Sequence, residues 1–256
     1  MEILAYGVQV DEKPLLRAAF AGQHELRLLE EFLNRNTAPL AAGYEVVSTS
    51  VNAELDGAVL RILAAGGTRM IAQRSTGFNN IDLEVAAELG LTVARVSYYS
   101  PYAVAEFAWT LAMAVNRRLI RAANRTREFD FRLDGLMGRD IHGMTVGVIG
   151  TGKIGECFAR IAHGFGTRLL GWDVAENPCC RDELGMKYTE LEVLLAESDI
   201  ADDTLARLMT MPNVLVTSHQ AYFTDTAVGQ IVDATVGNVE DYLSGRRSEN
   251  TLVPVR

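Results

Sequence analysis

The residues best placed to do chemistry are three glycines, one acid and one histidine. Gly150, Gly152 and Gly155 stand in the spacing G-x-G-x-x-G, and Asp173 follows about 20 residues later. In that spacing the first glycine permits a tight strand-to-helix turn. The second lets the backbone approach a pyrophosphate, and the third lets helix and strand pack closely. N–H groups at the helix start, with the positive end of its dipole, then attract phosphate. Asp173 would accept hydrogen bonds from both ribose hydroxyls and repel a 2′-phosphate. No Arg follows within seven residues, so NAD is favoured over NADP. Of the four histidines, His24, His142 and His163 read as structural or surface groups. His219 differs, because it sits just past a predicted strand, Asn213 to Thr217, at the carboxyl end where α/β sheets bind ligands.

A glycine motif serves this chemistry only between the right elements, and they are present. The β-branched run Val146 to Ile149 predicts a buried parallel strand. A helical pattern then runs through Ile161, with Phe158, Ile161 and Ala162 on one face, and a strand from Arg168 to Trp172 ends at Asp173. Upstream, strands are predicted at Glu2 to Gly7, Tyr44 to Ser50, Arg69 to Arg74 and Leu91 to Val96, and Glu25 to Leu29 suits a strand but would also suit a helix. Helices are predicted at Pro14 to Phe20, at Leu55 to Ala65 before Gly66-Gly67, and at Leu83 to Leu89 before Gly90. The alternation predicts a parallel α/β sheet. Ser100-Pro101 opens a long helix, expected to run to Arg127 and to link this region to the glycine-rich unit.

Composition narrows the function classes. At 256 residues the chain has room for one large or two modest domains. Apolar content of 48% and a mean hydropathy of +0.07 describe an ordinary soluble globular protein. A formal charge of −9 argues against nucleic acid as a partner, since phosphate binding needs clustered cations. The cluster Arg117, Arg118, Arg121, Arg125 and Arg127 is the local exception, and its plain reading is a solvated or subunit-facing helix side. Cys157, Cys179 and Cys180 have no zinc spacing and suit a reducing compartment, so no metal is expected. The opening MEILAYGVQVDEKP is no signal peptide and no apolar run could span a bilayer, so no membrane partner and a cytoplasmic location are expected.

Three ordered motifs carry a family resemblance. They are Arg74-Ser75-Thr76-Gly77-Phe78-Asn79-Asn80-Ile81-Asp82, Tyr99-Ser100-Pro101-Tyr102-Ala103-Val104-Ala105-Glu106 ahead of the glycine turn, and Asn213 to Thr224 after it. Together they resemble the D-lactate dehydrogenase branch of the D-isomer-specific 2-hydroxyacid dehydrogenases. The resemblance implies a flavodoxin-like substrate domain, residues 1–100 completed by 220–256, around a Rossmann-type coenzyme domain at 101–219. It implies a homodimer, with NAD as the coenzyme and a small 2-oxo or 2-hydroxy acid such as pyruvate as substrate. Backbone N–H groups around Thr76 and Gly77 would hold the substrate carboxylate, and Tyr99 would line the pocket. Lys153 and Ile154 would offer main-chain contacts to the pyrophosphate. His219 would exchange a proton with the 2-oxygen while hydride moves to or from the nicotinamide. Asp82 reads as a helix cap. Ser97 and Tyr98 stand where the family commonly has Pro and a small residue, a difference at the pocket entrance.

The pattern breaks at Ser198-Asp199-Ile200-Ala201-Asp202-Asp203. The resemblance calls for roughly 70 to 80 further residues here, the size of two more strand–helix units. It places in them a carboxylate-binding Arg, in an Asn-Thr-Ser-Arg-Gly turn, and a Glu that supports the catalytic histidine. No such string occurs in this chain. Arg207, in a predicted short helix Thr204 to Met209, and Glu197, ending a predicted helix Leu191 to Ala196, lie nearest, and both read as solvated helix residues. The coenzyme sheet is expected to keep its first two strands plus Asn213 to Thr217. The chain is expected to be weakly active or inactive, and the alternative is a non-catalytic nucleotide-binding or scaffold remnant of the family.

Overall fold

The computed structural model describes residues 1–201 and 220–253. The chain divides into two compact units, Met1–Tyr99 with Asp225–Arg256, and Ser100–Thr224.

The first unit is built on β1 (Glu2–Ala5), β2 (Glu25–Leu28), β3 (Val46–Thr49), β4 (Met70–Gln73), β5 (Thr92–Ala94) and β10 (Thr251–Val253). Their order is β10-β5-β4-β3-β1-β2, parallel except for β10. Without β10 this is the flavodoxin-like order 2-1-3-4-5. Because the side-chain period of a strand is two, the buried run of each central strand feeds two cores at once. Leu4, Val47, Ile71 and Val93 point to one face, under α2 (Gly57–Ala65) and α3 (Leu83–Glu88). Ile3, Ala5, Val46, Met70, Ala72 and Ala94 point to the other, under α1 (Glu12–Phe20) and α8 (Asp225–Leu243). Asp56 caps α2 by accepting N–H bonds from Ala58 and Val59 at 3.0 and 2.9 Å. Asp82 caps α3 by accepting from Val85 N–H at 3.1 Å.

The second unit contains α4 (Pro101–Asn116), α5 (Leu119–Arg127), β6 (Thr145–Ile149), α6 (Lys153–Gly164), β7 (Arg168–Trp172), β8 (Lys187–Tyr188), α7 (Leu191–Glu197) and β9 (Ile200–Ala201). Among the described residues its sheet is parallel, in the order β8-β7-β6-β9. Trp109 from α4 packs with Val146, Val148, Ala159, Ala162 and Leu169 in one core, edge-on to Phe158.

Two expectations are corrected. The long helix does not run unbroken to Arg127: it stops at Asn116, and Arg118 takes a left-handed backbone with φ 51°. The Asn116 side chain holds both polar groups of the Arg139 backbone, and this stabilises the break. The coenzyme sheet also keeps more than its first two strands. β8 and β9 extend it to four, and the two residues of each that are described are too few to leave a hydrophobic pattern. The predicted helix Thr204 to Met209 with Arg207, the predicted strand Asn213 to Thr217, and His219 lie outside the described residues.

Candidate coenzyme and substrate sites

The glycine turn follows β6 directly. Gly150 has φ +87°, a conformation that side chains rarely adopt, and its N–H donates to the Trp172 carbonyl at 2.9 Å. That bond ties the turn to the end of β7. A Cβ on Gly155 would meet the Gly150 carbonyl oxygen at 1.9 Å, so α6 reaches its close packing because this residue has none. A Cβ on Gly152 would meet nothing within 4 Å. The turn is therefore open at Gly152, with room for a group such as a phosphate beside the backbone. Lys153, Ile154 and Gly155 form the first turn of α6, where N–H groups lack intrahelical acceptors. Glu156 sits in the same turn, but Asn177 and Arg160 hold its carboxylate, at 3.1 Å each, and offset its charge. Asp173 stands just past β7, half-buried, and accepts from Thr151 N–H at 2.5 Å. That bond, with one from the Thr151 hydroxyl, holds its carboxyl below the usual range. These residues fit a dinucleotide: a turn open to diphosphate and an ionised acid about 20 residues on.

Behind the turn lies an apolar cavity of about 370 Å³, lined by Val104, Ala105 and Ala108 of α4, Val148 of β6, Phe158 of α6 and Ile200. Among the described residues β9 pairs with Val146 and Gly147 of β6, and Ile200 forms part of the cavity wall.

The substrate-side residues all belong to the first unit. Arg95 Nη1 donates to the Thr76 carbonyl at 2.7 Å. A trans peptide sets C=O and the next N–H in opposite directions, so this bond turns the Gly77 N–H away from Arg95. Gly77's own carbonyl accepts from Ser75 Oγ at 2.8 Å, which fixes the following peptide likewise. Buried Gln73 donates to Ser75 and Asn80, and Asn80 ties the loop to the Ala53 carbonyl. The Arg95 guanidinium stacks over Phe78 at 4.9 Å. Tyr99 is half-buried, and burial raises its hydroxyl pKa. Arg95 and Thr151 act on the two candidate sites and neither is marked in the sequence, since each works through a partner distant in the chain. No cluster of metal-ligating side chains occurs among the described residues.

The chain and its fold match known proteins. The family description "D-isomer specific 2-hydroxyacid dehydrogenase, catalytic domain" fits residues 3–253. The apo-structure of D-lactate dehydrogenase from Escherichia coli superposes with a TM-score of 0.91 at 33% identity, covering 99% of this chain and 100% of that one. The chain belongs to the D-2-hydroxyacid dehydrogenases, in their D-lactate dehydrogenase branch. By family it is an oxidoreductase with the two-domain α/β fold. A 2-hydroxyacid dehydrogenase homologue of Schizosaccharomyces pombe is 33% identical over 331 aligned positions, 99% of each chain. A D-lactate dehydrogenase from Lactobacillus jensenii, solved with NAD+, matches at a TM-score of 0.76 and 25% identity, covering 98% of this chain and 99% of that one.

Proposed function

We propose that this chain binds NAD(H) and a small 2-oxo or 2-hydroxy acid such as pyruvate, as a D-lactate-type dehydrogenase, and turns substrate over weakly or not at all. The observation that carries the coenzyme half is the open glycine turn tied to an ionised Asp173. A fixed carboxylate there accepts from ribose hydroxyls and repels a 2′-phosphate, which favours NAD. Gly150, Gly152 and Gly155 shape the turn, while Lys153 and Ile154 supply main-chain N–H groups to the diphosphate. Bound NAD supplies the hydride donor or acceptor. The Thr76–Gly77 loop, oriented by Arg95 and Ser75, offers its N–H groups to the substrate carboxylate. Tyr99 lines the same pocket. His219 is assigned proton exchange with the 2-oxygen.

The reduced turnover rests on what the chain lacks. The 331-position alignment exceeds its 256 residues by 75, so at least that many aligned positions have no counterpart here. The resemblance places the carboxylate-binding Arg and the histidine's Glu partner in that block. The same facts favour the second reading, a nucleotide-binding or scaffold remnant. A homodimer is proposed through the second unit. Phe129, Phe131, Leu133 and Met137 are 71–90% exposed there, an apolar stretch that a second copy would cover. Arg125 and Asp130 brace this stretch, with Arg125 donating to the Asp134 carbonyl at 2.6 Å.

The test is calorimetric titration of the purified chain with NADH, alongside pyruvate reduction followed by loss of NADH absorbance. Binding with little or no turnover is the expected result. Turnover comparable to a full-length relative would overturn the reduced-activity reading, and absence of NADH binding would overturn the coenzyme site. No helix among the described residues is long and apolar enough to cross a membrane.

A further inference from the structure

Asp173 is held by a relay that reaches across three strand ends. Its Oδ2 accepts from Thr151 twice, from the N–H at 2.5 Å and from the hydroxyl at 3.1 Å. Tyr188, at the end of β8, donates its hydroxyl proton to Thr151 Oγ1 at 2.8 Å. The Tyr188 oxygen in turn accepts from Asn177 N–H at 2.8 Å. The Asn177 side chain closes the loop by donating to the Thr151 carbonyl at 2.8 Å. Thr151 is buried at 2% exposure, so its hydroxyl depends on these partners.

One proton arrangement satisfies every member. An ionised carboxylate only accepts, so the Thr151 hydroxyl must donate to it. The Thr151 oxygen then takes the single proton of Tyr188, which leaves the Tyr188 oxygen to accept from a backbone N–H that can only donate. The hydroxyl links, from Asn177 N–H through Tyr188 and Thr151, all point toward Asp173 and stabilise its charged form, while the Asn177 side chain holds the Thr151 carbonyl. Two donors occupy Oδ2. The other oxygen, Oδ1, meets Ala175 N–H at 3.5 Å, beyond the usual range of a strong bond. Val174 N–H also interacts with the carboxylate, and Oδ1, the less firmly held oxygen, is the one on which the hydrogen bonds expected from the ribose hydroxyls would fall.

We infer that Thr151 and Tyr188 are positioning residues for coenzyme selectivity, locking Asp173 so that Oδ1 faces a ribose hydroxyl and a 2′-phosphate is repelled. The inference rests on the coenzyme reading proposed above. It adds that discrimination between the two nicotinamide dinucleotides depends on two residues that need not touch either nucleotide.

The test measures dissociation constants for NADH and NADPH by nicotinamide fluorescence, using the full chain and its Thr151→Val, Thr151→Ser and Tyr188→Phe variants. Circular dichroism melting serves as the fold control. The wild-type chain is expected to prefer NADH. Thr151→Val should lose about tenfold of that preference, the range of one charge-assisted hydrogen bond. Tyr188→Phe, one link further away, should lose about threefold. Thr151→Ser keeps the hydroxyl and should keep the wild-type ratio. A merely structural role would weaken both nucleotides alike and leave the ratio unmoved. An unchanged ratio in Thr151→Val with NADH still bound, or Thr151→Ser behaving like Thr151→Val, overturns the inference. Where Thr151→Val does not melt cooperatively, the half-buried Tyr188→Phe decides, and an unchanged ratio there also overturns it. A wild-type chain that binds neither nucleotide fails differently: it refutes the coenzyme reading and the inference with it.

Discussion

Two glycines three residues apart should respond in opposite ways to the same methyl group. On Gly155, an alanine Cβ would lie 1.9 Å from the Gly150 carbonyl oxygen, against a floor of 3.0 Å for such contacts, so backbone must part by at least 1.1 Å. The atom it meets is main chain, and no side-chain rotation can relieve it. The parting would loosen α6 from β6, where Ala159 and Ala162 pack on Val146, Val148 and Leu169. Overpacking of this kind costs about 2–3 kcal/mol, which lowers the melting temperature of a chain this size by about 5–10 °C. On Gly152, at φ −65°, the same methyl meets nothing within 4 Å, so folding should lose less than about 1 kcal/mol, mostly as a poorer helix cap. On the proposed coenzyme reading the methyl instead occupies the space left for the diphosphate. A cost of about 1–3 kcal/mol weakens NADH binding roughly 5- to 150-fold. Differential scanning calorimetry and NADH titration on Gly155→Ala and Gly152→Ala separate the two effects. A Gly155→Ala protein melting within about 1 °C of wild type, or a Gly152→Ala protein with unchanged NADH affinity, would refute this account of the turn.

Three further outcomes are expected. Asp199 accepts from Thr145 N–H at 3.1 Å and from Arg139 at 3.0 Å, which holds its pKa below the usual 3.8. The stability it contributes is present above pH 3.8 and is lost as pH falls through its lowered folded value, so urea midpoints of Asp199→Asn should decline less than wild type over that acid range. Trp109→Ala should cost about 3–5 kcal/mol in urea unfolding, because the ring is 5% exposed and packs on Phe158 and Phe165. Trp109→Phe should cost less than about 1.5 kcal/mol, as Nε1 has no hydrogen-bond partner to lose among the described residues. Phe131→Asp combined with Met137→Asp should shift the proposed dimer to monomer in sedimentation velocity, and an unmoved dimer would place the contact elsewhere.

The parts legible in the sequence are those set by local rules. β7 ends at Trp172 as the run of apolar residues before Asp173 indicates, and Asp82 caps α3 as its position before Leu83 suggests. The features that were not legible depend on distant partners. Nothing near Arg118 marks a helix break, since a non-glycine residue in a left-handed turn carries no compositional signal and the stabilising bonds come from Arg139. β8 and β9 exist by pairing with β7 and β6, not by any pattern of their own. β10 adds antiparallel to β5 from the far end of the chain. The relay through Thr151 and Tyr188 joins residues 37 apart, and only folding brings them together. Arg95 reads in sequence as an unremarked strand residue, yet it holds the Thr76 carbonyl.

α8 comes from the last part of the chain but covers a sheet made by the first. Val228, Val232 and Val239 close the face presented by Ile3, Ala5, Val46 and Met70. During synthesis that face must wait, bare, until the whole of Ser100–Thr224 has left the ribosome. The intervening unit is topologically a loop whose two ends the first unit must bring together. On the proposed reading, an insertion of about 200 residues in place of these 125 would cost only about 0.4 kcal/mol more in closure entropy. The first unit therefore gains almost nothing in equilibrium stability from a shorter insertion, but its exposed face is covered sooner. A chaperone, whose substrate is that bare face, would see it for less time.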